Sequence, residues 1–398
     1  MSAGAYIGLP TSVWRDAILL LAAGPFVYYA VGMVAALRFF RRERAQQAQD
    51  FTPPVSILKP VRGVDEDAYA NFASFCRLDY PSYEILFAVA DADDPVLPLL
   101  EKLRLEFPGS NLRVITQIPQ LGANRKLNNL AKLAGEARHD VLVICDSDVR
   151  VSPNYLREVT AQFADPQVGA VTAFFRGVTR GSLGAEMEAL VLATETVPNA
   201  LVARFIEGKV QFAFGWTMAT TKVHLRAIGG FEDMVNVHSD DFELGNRIAA
   251  RGLKIELLAT PVEMVFAPET FGQYLRHELR WAIGLRNVRP AGYVGLLFTF
   301  GLPWTVAAVV LAPTAGCAAV YIAAYLLFRL SQVWVTGVWG LNDEVTRRSW
   351  WMTPFRDLVN FLVWVAGFFC SKIEWRGVSY RVKKGLLVPV KVSGKNHS

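Results

Sequence analysis

Two carboxylates close a strongly apolar stretch near the middle of the chain. Val141 to Ile144 are all apolar, and Asp146 and Asp148 follow them two positions apart. A continuous apolar run of this length predicts a strand buried on both faces of a parallel sheet. Ligands of such sheets bind beyond the carboxyl ends of the strands. Two acids there can hold a hard divalent cation and, through it, a diphosphate. The alternative is that they only cap the next helix.

Further polar features fall at the ends of other predicted elements. An acid pair at the start of a helix is more often an N-terminal cap than a catalytic group. Any one of these features alone is therefore weak evidence for a functional site. A Gly-led loop that ends in Lys suits phosphate. The features are Asp91 after a strand, the loop Gly122–Lys126, Asp240 and Asp241 at the start of a helix, and Arg280 with Trp281 on a later helix.

Taken together, these residues meet the needs of a nucleotide-sugar site. Asp91 would bind the ribose or base of the nucleoside. Lys126 and Arg280 would join the cation in neutralising the departing diphosphate. Asp241 would be the base for an acceptor hydroxyl. A single base without a second carboxylate nucleophile favours in-line displacement, and therefore inversion at the anomeric carbon.

Alternating strands and helices over residues 55–290 would position these side chains. This alternation predicts a parallel sheet built from βαβ units. Strands are predicted at 55–58, 84–90, 113–118, 141–145, 168–174, 211–220, 254–258 and 262–266, and helices at 95–107, 125–137, 154–163, 240–250 and 274–285.

Composition points to a membrane protein. The 398 residues are 52% hydrophobic and the mean hydropathy is +0.26. Ala17 to Leu37 carries no charge over 21 residues, enough to cross a bilayer. Four arginines between positions 38 and 44 follow it, so the positive-inside rule places the next domain in the cytoplasm. A cleaved signal peptide would carry its charges before the apolar run, so we predict a retained anchor.

Charge and cysteine content exclude other classes. A net charge of +5, without a basic tract interleaved with aromatic residues, does not indicate nucleic-acid binding. The four cysteines are too far apart for a zinc motif or a disulfide framework, which favours a reducing compartment.

Four later apolar segments have different interpretations. Residues 292–312 and 317–340 are predicted to form a membrane hairpin. Residues 358–370 are short for a membrane span, and a crossing there would put the basic residues after 371 outside the cell. This segment either spans the membrane, lies in the interface or re-enters the membrane. The segment 183–206 contains three glutamates, which are costly at the centre of a bilayer. It is predicted to be an amphipathic interfacial helix near a lipid entrance, a core helix or a span.

The ordered motifs carry a family resemblance. The stretch Val-Ser-Ile-Leu-Lys-Pro-Val-Arg-Gly-Val-Asp at 55–65, followed by Asp91, Asp-Ser-Asp at 146–148, Asp-Asp at 240–241 and Arg-Trp at 280–281, resembles membrane glycosyltransferases of the family 2 type. It is closer to the ceramide glucosyltransferase branch, family 21, and to the bacterial hopanoid-associated glycosyltransferases. The resemblance covers about residues 53–290. It implies a GT-A fold, a UDP-sugar donor, Mg²⁺ or Mn²⁺, and a lipid hydroxyl acceptor.

The resemblance also implies roles for individual residues. Asp241 matches the catalytic base, and Asp146, to which we join Asp148, matches the metal-site acid. Contacts to the donor or substrate are assigned to Arg62, Asp91, Lys126, Gly215, Trp216, Asp240, His277, Arg280 and Trp281.

Three departures separate this chain from ceramide enzymes. His277 stands where the motif usually has Gln or Arg, Asp148 is kept where those enzymes have Gly, and Val197 replaces a frequent His. These departures point toward a bacterial glycolipid or hopanoid branch.

We therefore predict a Rossmann-like α/β domain of the GT-A type, with a mixed, mostly parallel sheet, between membrane helices. It would transfer one sugar, preferably glucose, from a UDP-sugar to a membrane lipid at the cytoplasmic face of a bacterial inner membrane. The alternatives are a hopanoid-associated N-acetylglucosaminyltransferase, a processive polysaccharide synthase and a non-catalytic lipid-binding protein. The oligomeric state stays open. The predicted regions are a tail (1–16), an anchor (17–37), a linker (38–52), the catalytic domain (53–290), a C-terminal membrane region (291–371) and a basic tail (372–398).

Overall fold

The computed structural model describes residues 11–45, 50–375, 378–383 and 385–390. Most of the predicted N-terminal tail, part of the linker and the last eight residues of the basic tail lie outside these ranges. Within them, eight strands form one mixed sheet in the order β3-β2-β1-β4-β7-β6-β8-β5. The strands are β1 (Val55–Val61), β2 (Tyr83–Val89), β3 (Leu112–Ile115), β4 (Val141–Cys145), β5 (Val149–Arg150), β6 (Val168–Thr179), β7 (Thr217–Thr221) and β8 (Lys254–Phe266).

The predicted mixed, mostly parallel sheet is confirmed. β1 lies in the parallel half, with Ile57 paired to Ile85 of β2 on one side and Val143 of β4 on the other. All residues of β1 and β4 are buried, as expected for strands covered on both faces. β7 runs antiparallel to β4 and β6, and this reversal brings Thr217 opposite Cys145. The loop before β7 therefore faces the acids that follow β4.

Helices cover the sheet and continue into the apolar regions at both ends. They are α1 (Thr11–Ala22), α2 (Gly24–Ala45), α3 (Ala68–Cys76), α4 (Leu97–Glu106), α5 (Arg125–Glu136), α6 (Tyr155–Ala161), α7 (Leu183–Ala189), α8 (Val197–Glu207), α9 (Lys222–Ala227), α10 (Asp240–Ala250), α11 (Phe271–Val288), α12 (Pro290–Gly295), α13 (Gly301–Leu311), α14 (Ala315–Val333), α15 (Glu344–Ser349) and α16 (Thr353–Gly367). A π-helical segment, Leu192–Thr196, lies between α7 and α8, and another, Trp334–Gly340, follows α14.

Several predicted strands differ in extent from those observed, most of all at 211–220 and 254–266. Residues 211–216 form a loop, and only Thr217–Thr221 belongs to β7, because the loop turns toward the cavity and Gly215 bonds to a side chain of α10. The strands predicted at 254–258 and 262–266 are one strand, β8, which follows β6 in parallel with a register shift between Ala173 and Phe175. A β-bulge of this kind bends a strand without ending it.

Three described helical stretches are long and apolar enough to cross a membrane, namely Ser12–Arg42, Leu183–Glu207 and Ala315–Gly340. A fourth crossing is available from Pro290–Thr299 and Gly301–Leu311, which meet at a bend of 50°. The hairpin segment predicted at 292–312 is therefore a broken helix. A rigid helix of 15 residues, such as α16, is about 22 Å long and falls short of the ~30 Å hydrocarbon core.

The segment 183–206 is largely enclosed by protein. Of its most apolar 18 residues, 61% are buried inside the protein. Its glutamates have partners inside the protein: Glu186 pairs with Arg348 and Glu195 with Arg356. This burial favours the core-helix interpretation, since a lipid-facing helix would leave these carboxylates without a cationic partner.

The basic C-terminal region contains a small sheet that the sequence pattern did not indicate. β9 (Lys372–Trp375), β10 (Val378–Lys383) and β11 (Leu386–Pro389) form an antiparallel sheet in the order β11-β10-β9. The amide of His238 donates to Gly385 O, and the amide of Leu387 donates to Asn236 O, both at 2.9 Å. The described part of this small sheet therefore packs against the domain that contains the large sheet, as expected if the basic residues after 371 lie on the same side of the membrane as that domain.

Candidate active site

One cavity of about 1070 Å³ connects the large sheet to the membrane helices. At one end it is lined by Asp91, Asp146 and Asp148, beyond the carboxyl ends of β2 and β4. At the other end it is lined by Tyr28, Arg329 and other residues of the apolar helices. Every site residue proposed from the sequence lines this cavity: Arg62, Asp91, Lys126, Asp146, Asp148, Gly215, Trp216, Asp240, Asp241, His277, Arg280 and Trp281.

Lys126 contacts three of the residues that line the sheet end of the cavity. Its Nζ lies 2.8 Å from Asp146 Oδ1 and 3.1 Å from Asp240 Oδ2, and it donates to Gly215 O at 3.3 Å. Burial opposes the charged ammonium, but Asp146 and Asp240 outweigh it and raise the pKa of Lys126. Lys126 therefore remains a cation between Asp146, at the strand end, and Asp240, at the helix start.

The position of Lys126 follows from the helix that carries it. α5 begins after Asn124, whose side chain accepts from the amide of Leu127 at 3.2 Å, and this cap places Lys126 in the first helical turn. The amides at the start of the preceding Gly-led loop already have partners within the protein. Gly122 N donates to Asn128 Oδ1 and Ala123 N to Asn236 Oδ1, each at 3.0 Å. The amides of Gly122 and Ala123 are therefore engaged, and the phosphate role predicted for this loop stays a prediction.

Asp241 is held as a hydrogen-bond acceptor at the start of α10. Gly215 N donates to its Oδ2 at 2.9 Å, and Phe242 N donates to its Oδ1 at 2.7 Å. A Cβ at Gly215 would lie 3.2 Å from Oδ2, so glycine allows this close approach. Burial, together with the adjacent charge of Asp240, raises the pKa of Asp241 to about 6. A carboxylate with such a pKa is suited to accept a proton near neutral pH.

The nucleoside end of the cavity is more open. Asp91 follows β2 and faces Arg62, with 3.6 Å between the carboxylate and Nε; both side chains are substantially exposed. Ser147, between the two acids after β4, donates its hydroxyl to Asp65. The structure thus adds Asp65 to the predicted cavity residues. Asp65 holds the turn between Asp146 and Asp148 in place through its hydrogen bond with Ser147.

Lys59 is a second cation behind Asp146 that the sequence analysis did not single out. It is fully buried in β1, its Nζ donates to Asp146 O at 3.0 Å, and it lies 3.7 Å from the centre of the Phe75 ring. Burial lowers its pKa to about 8, against the opposing charges of the nearby acids. A lysine inside an otherwise apolar strand was the available signal, because a buried lysine requires a partner.

One predicted contact, Trp216, has strong structural partners of its own. Trp216 is 7% exposed, its Nε1 donates to Ala173 O at 2.6 Å, and its ring stacks on Phe214. Most of the indole therefore packs in the core. Its predicted role as a donor contact stays a prediction.

α11 brings the Arg-Trp pair and His277 to the membrane-facing wall. Trp281 is 37% exposed in the cavity, whereas His238, opposite the helix, is mostly buried. A Cβ at Gly284 would lie 2.9 Å from His238 Nε2, so the small residue admits this ring. Burial and the charge of Arg280 lower the pKa of His238 to about 4, which keeps it neutral beside the guanidinium.

His277 meets two glutamates rather than a strand-end acid. Its Nδ1 lies 3.2 Å from Glu188 Oε2 and 3.3 Å from Glu269 Oε2. In the described part of the chain, these three residues form the group of three acidic, His or Cys ligands whose atoms all lie within 4.8 Å of one another. Asp146 and Asp148 do not complete such a group there, so their role as metal ligands stays a prediction.

The comparison with protein families decides the class of the chain. A model of glycosyl transferase family 21 matches residues 17–388. The chain belongs to this family. The match includes the anchor, the large sheet, the broken membrane helices and most of the C-terminal sheet. Family membership and the fold together establish a sugar-transferring enzyme.

Curated relatives of the family 21 chain are ceramide glucosyltransferases. Ceramide glucosyltransferase 1 of Caenorhabditis elegans is 22% identical over 398 residues, covering 93% of this chain and 81% of the relative. Ceramide glucosyltransferase 3 of the same organism is 23% identical over 272 residues, covering 67% and 59%. The Candida albicans ceramide glucosyltransferase is 34% identical over 116 residues, covering 26% and 21%.

A solved structure agrees on the fold. The mannosyltransferase PcManGT from Pyrobaculum calidifontis, in complex with GDP-Man and Mn²⁺, aligns with a TM-score of 0.53 at 18% identity. The alignment covers 88% of this chain and 99% of that structure. The predicted GT-A-like fold is confirmed by this likeness, which at such identity concerns the fold alone.

Proposed function

We propose that this family 21 enzyme transfers glucose from UDP-glucose to a hydroxyl of a ceramide-like membrane lipid, with inversion at the anomeric carbon. The observation that carries the proposal is the position of Asp241. Its carboxylate faces the cavity between the acids that follow the strands and the wall formed by membrane helices. A base at this place can serve a hydroxyl that enters from the membrane.

The donor would occupy the sheet end of the cavity. Asp91 and Arg62 would bind the nucleoside, and Lys126 and Arg280 would bind the diphosphate. Asp146 and Asp148 offer carboxylate oxygens, the ligands that Mg²⁺ and Mn²⁺ prefer, and the Asp146 carboxylate already attracts a cation, Lys126, at 2.8 Å. A bound divalent ion would neutralise charge on the leaving diphosphate. The Mn²⁺ in the mannosyltransferase structure supports this assignment.

Asp241 would act as the base. Its carboxylate takes the proton of the acceptor hydroxyl while the oxygen attacks the anomeric carbon and the bond to the diphosphate breaks. The amides of Gly215 and Phe242 fix the carboxylate during this step, and Lys126 balances the negative charge around Asp240. Because one displacement occurs, the configuration at the anomeric carbon inverts.

The acceptor would reach Asp241 from the membrane end. Tyr28, Asn199 and Phe300 line that part of the cavity, so an acyl or sphingoid chain can lie among apolar helices while its head group extends toward α10. The names of the curated relatives support a ceramide-like acceptor. Arg38, Arg41 and Arg42 at the end of the anchor support a cytoplasmic catalytic domain.

The test is transfer by the purified full chain in lipid nanodiscs. Labelled UDP-glucose, UDP-galactose and UDP-N-acetylglucosamine are each supplied with ceramide, diacylglycerol or a hopanoid, and the labelled lipid is identified by mass spectrometry. We expect β-glucosylceramide with UDP-glucose, and none with Asp241→Asn. The surface variant Asp79→Asn is the matched control and should keep full activity. Labelled hopanoid from UDP-N-acetylglucosamine, or an α-linked product, would overturn the proposal.

A further inference from the structure

Glu188, Glu269 and His277 form a compact ligand set that the proposed reaction does not use. They come from three separate elements: Glu188 from α7, Glu269 from the loop between β8 and α11, and His277 from α11. The two distances from His277 Nδ1 to the carboxylates are 3.2 and 3.3 Å. Ligands bound to one ion at ~2.1 Å in a tetrahedral shell lie roughly 3.4 Å apart, so the present spacing is close to that of a metal shell.

The backbone around this set is fixed. The amide of Glu269 donates to Ser182 Oγ at 3.0 Å, and the same hydroxyl caps α7 through Ala185. A Cβ at Gly184 would lie 2.7 Å from Glu269 O, so α7 and the loop touch directly. A capping box between Thr270 and Gln273 starts α11. The three side chains are therefore held on elements that are already packed together.

The buried carboxylate of Glu269 points to a ligand. Its side chain is 8% exposed, and its Oε1 is buried without a hydrogen-bond donor in the described structure. Glu188 is also nearly buried, at 11%. The Nδ1 atom of His277 is the single imidazole donor that lies near both carboxylates. A buried carboxylate oxygen without a donor is energetically unfavourable, and a cation bound there would remove that penalty.

We propose that Glu188, Glu269 and His277 bind a divalent transition-metal ion, Zn²⁺ or Mn²⁺, at a site separate from Asp146 and Asp148. An imidazole nitrogen with two carboxylate oxygens is a donor set that these ions accept. The His277 side chain is 47% exposed toward the cavity, which leaves one side of the ion open. The ion fastens α7 to α11 at the membrane-facing wall, one helical turn before Arg280.

The site depends on the residue at position 277. The Gln or Arg that the family motif usually has at this position would not supply an imidazole, so the proposed site depends on the histidine of this chain. His277→Gln therefore removes one ligand and restores the more usual motif. This makes it a variant that should fold.

The test measures bound metal in the tag-free full chain in nanodiscs, after treatment with a chelator and desalting. Asp146→Asn/Asp148→Asn serves as the background, so that the predicted donor-site cation does not contribute. After incubation with Zn²⁺ or Mn²⁺ and gel filtration, we expect about one ion per chain by elemental mass spectrometry. Adding Glu269→Gln or His277→Gln to the background should abolish this binding, whereas His139→Gln, at a histidine outside the cluster, should preserve it.

Thermal unfolding gives a second readout. The background protein should gain several degrees in Tm on addition of the metal, and the His277→Gln derivative should gain none. Absence of bound metal from the background, or equal metal content with and without His277→Gln, would overturn the proposal and leave a proton shared between the glutamates as the explanation. Because the background lacks the donor-site acids, neither outcome depends on the proposed glucosyl transfer.

Discussion

The two ends of the cavity use charged residues in different ways. At the sheet end, Lys126 holds Asp146 and Asp240 through contacts that a ligand can replace. At the membrane end, Arg329 and Asp357 are both almost completely buried and joined at 2.6 Å. Arg329 also donates to Thr194 O, and Tyr325 donates to Asp357. The charges at the first end are available to substrates, whereas those at the second are part of the scaffold.

This difference follows from solvation. A charge that is exchanged between protein and ligand must stay accessible, so it lies at a loop or a helix start beside the cavity. A charge buried among apolar helices is tolerated when all its donors and acceptors have partners inside the protein. Arg356, which contacts Glu195 at 2.6 Å and Glu278 at 3.4 Å, is a second buried cation with acidic partners, although its Nε has no hydrogen-bond partner among the described residues. Substitutions at the two ends should therefore have separable effects on catalysis and on stability.

The largest expected effect is on turnover, from Asp241→Asn. Loss of a positioned base typically costs about 10²–10⁴-fold in rate, and the amide should still fill the space between Gly215 and Phe242. Affinity for the UDP-sugar should change little, since the donor contacts are elsewhere. Single-turnover transfer and calorimetric UDP-glucose binding measure the two quantities. Comparable rates for the variant and the unmodified enzyme would remove Asp241 from the base role.

The next largest effect is on stability, from Asp357→Ala. This change leaves the buried Arg329 without its carboxylate, and breaking a buried pair costs about 3–5 kcal/mol. Asp165→Ala is the matched control, because Asp165 and Lys254 form an ion pair at 2.8 Å with both side chains exposed; such pairs contribute up to about 1 kcal/mol. The Tm of both variants in nanodiscs tests this order. Equal loss of Tm would contradict the contrast between the two ends.

A smaller effect is expected in the pH profile. The pKa of Asp241 is raised to about 6, so its carboxyl is protonated below that pH and cannot take a proton from the acceptor. Transfer under limiting acceptor should fall about tenfold per pH unit below that value and level off above it. Asp240→Asn removes a charge that raises this pKa, so the acidic limb should move to lower pH. An unchanged limb would assign the titration to another group.

The sheet end could largely be inferred from the sequence because its residues obey local rules. An apolar run followed by Asp146 and Asp148 locates a strand end, and Asp240 and Asp241 mark a helix start, so each acid is placed by its immediate neighbours. Parallel pairing then gathers them at one edge. The membrane end follows no local rule, since Arg329 and Asp357 meet only through the packing of α14 against α16. The pairing of Glu188 with His277 likewise depends on contact between α7 and α11.

The C-terminal sheet was missed for a related reason. Its strands are short, two of them carry charged residues beside the apolar positions, and the basic composition of the region after 371 outweighed this pattern in the prediction. Ile373, Tyr380 and Leu387 nevertheless form a small core with Ile283 of α11. In strands of four to six residues, the alternation of apolar and polar residues is too short to predict a strand reliably against the charge pattern, unless the surface on which the strands pack is known.

The smallest expected effect concerns this sheet and the loop that carries Lys126. Tyr380 is 4% exposed, and its hydroxyl donates to Ala123 O at 3.4 Å, a long hydrogen bond that contributes little. Tyr380→Phe should therefore leave the KM for UDP-glucose within about twofold, because hydrogen bonds of this kind contribute roughly 0.5 kcal/mol or less. Tyr380→Ala removes the ring that packs beside Ala123, so the loop before α5 loses support and KM should rise several-fold while kcat changes less. A large fall in kcat with Tyr380→Phe would instead place this hydroxyl among the groups that act on the substrate, and the C-terminal sheet would then belong to the catalytic end of the cavity rather than to its support.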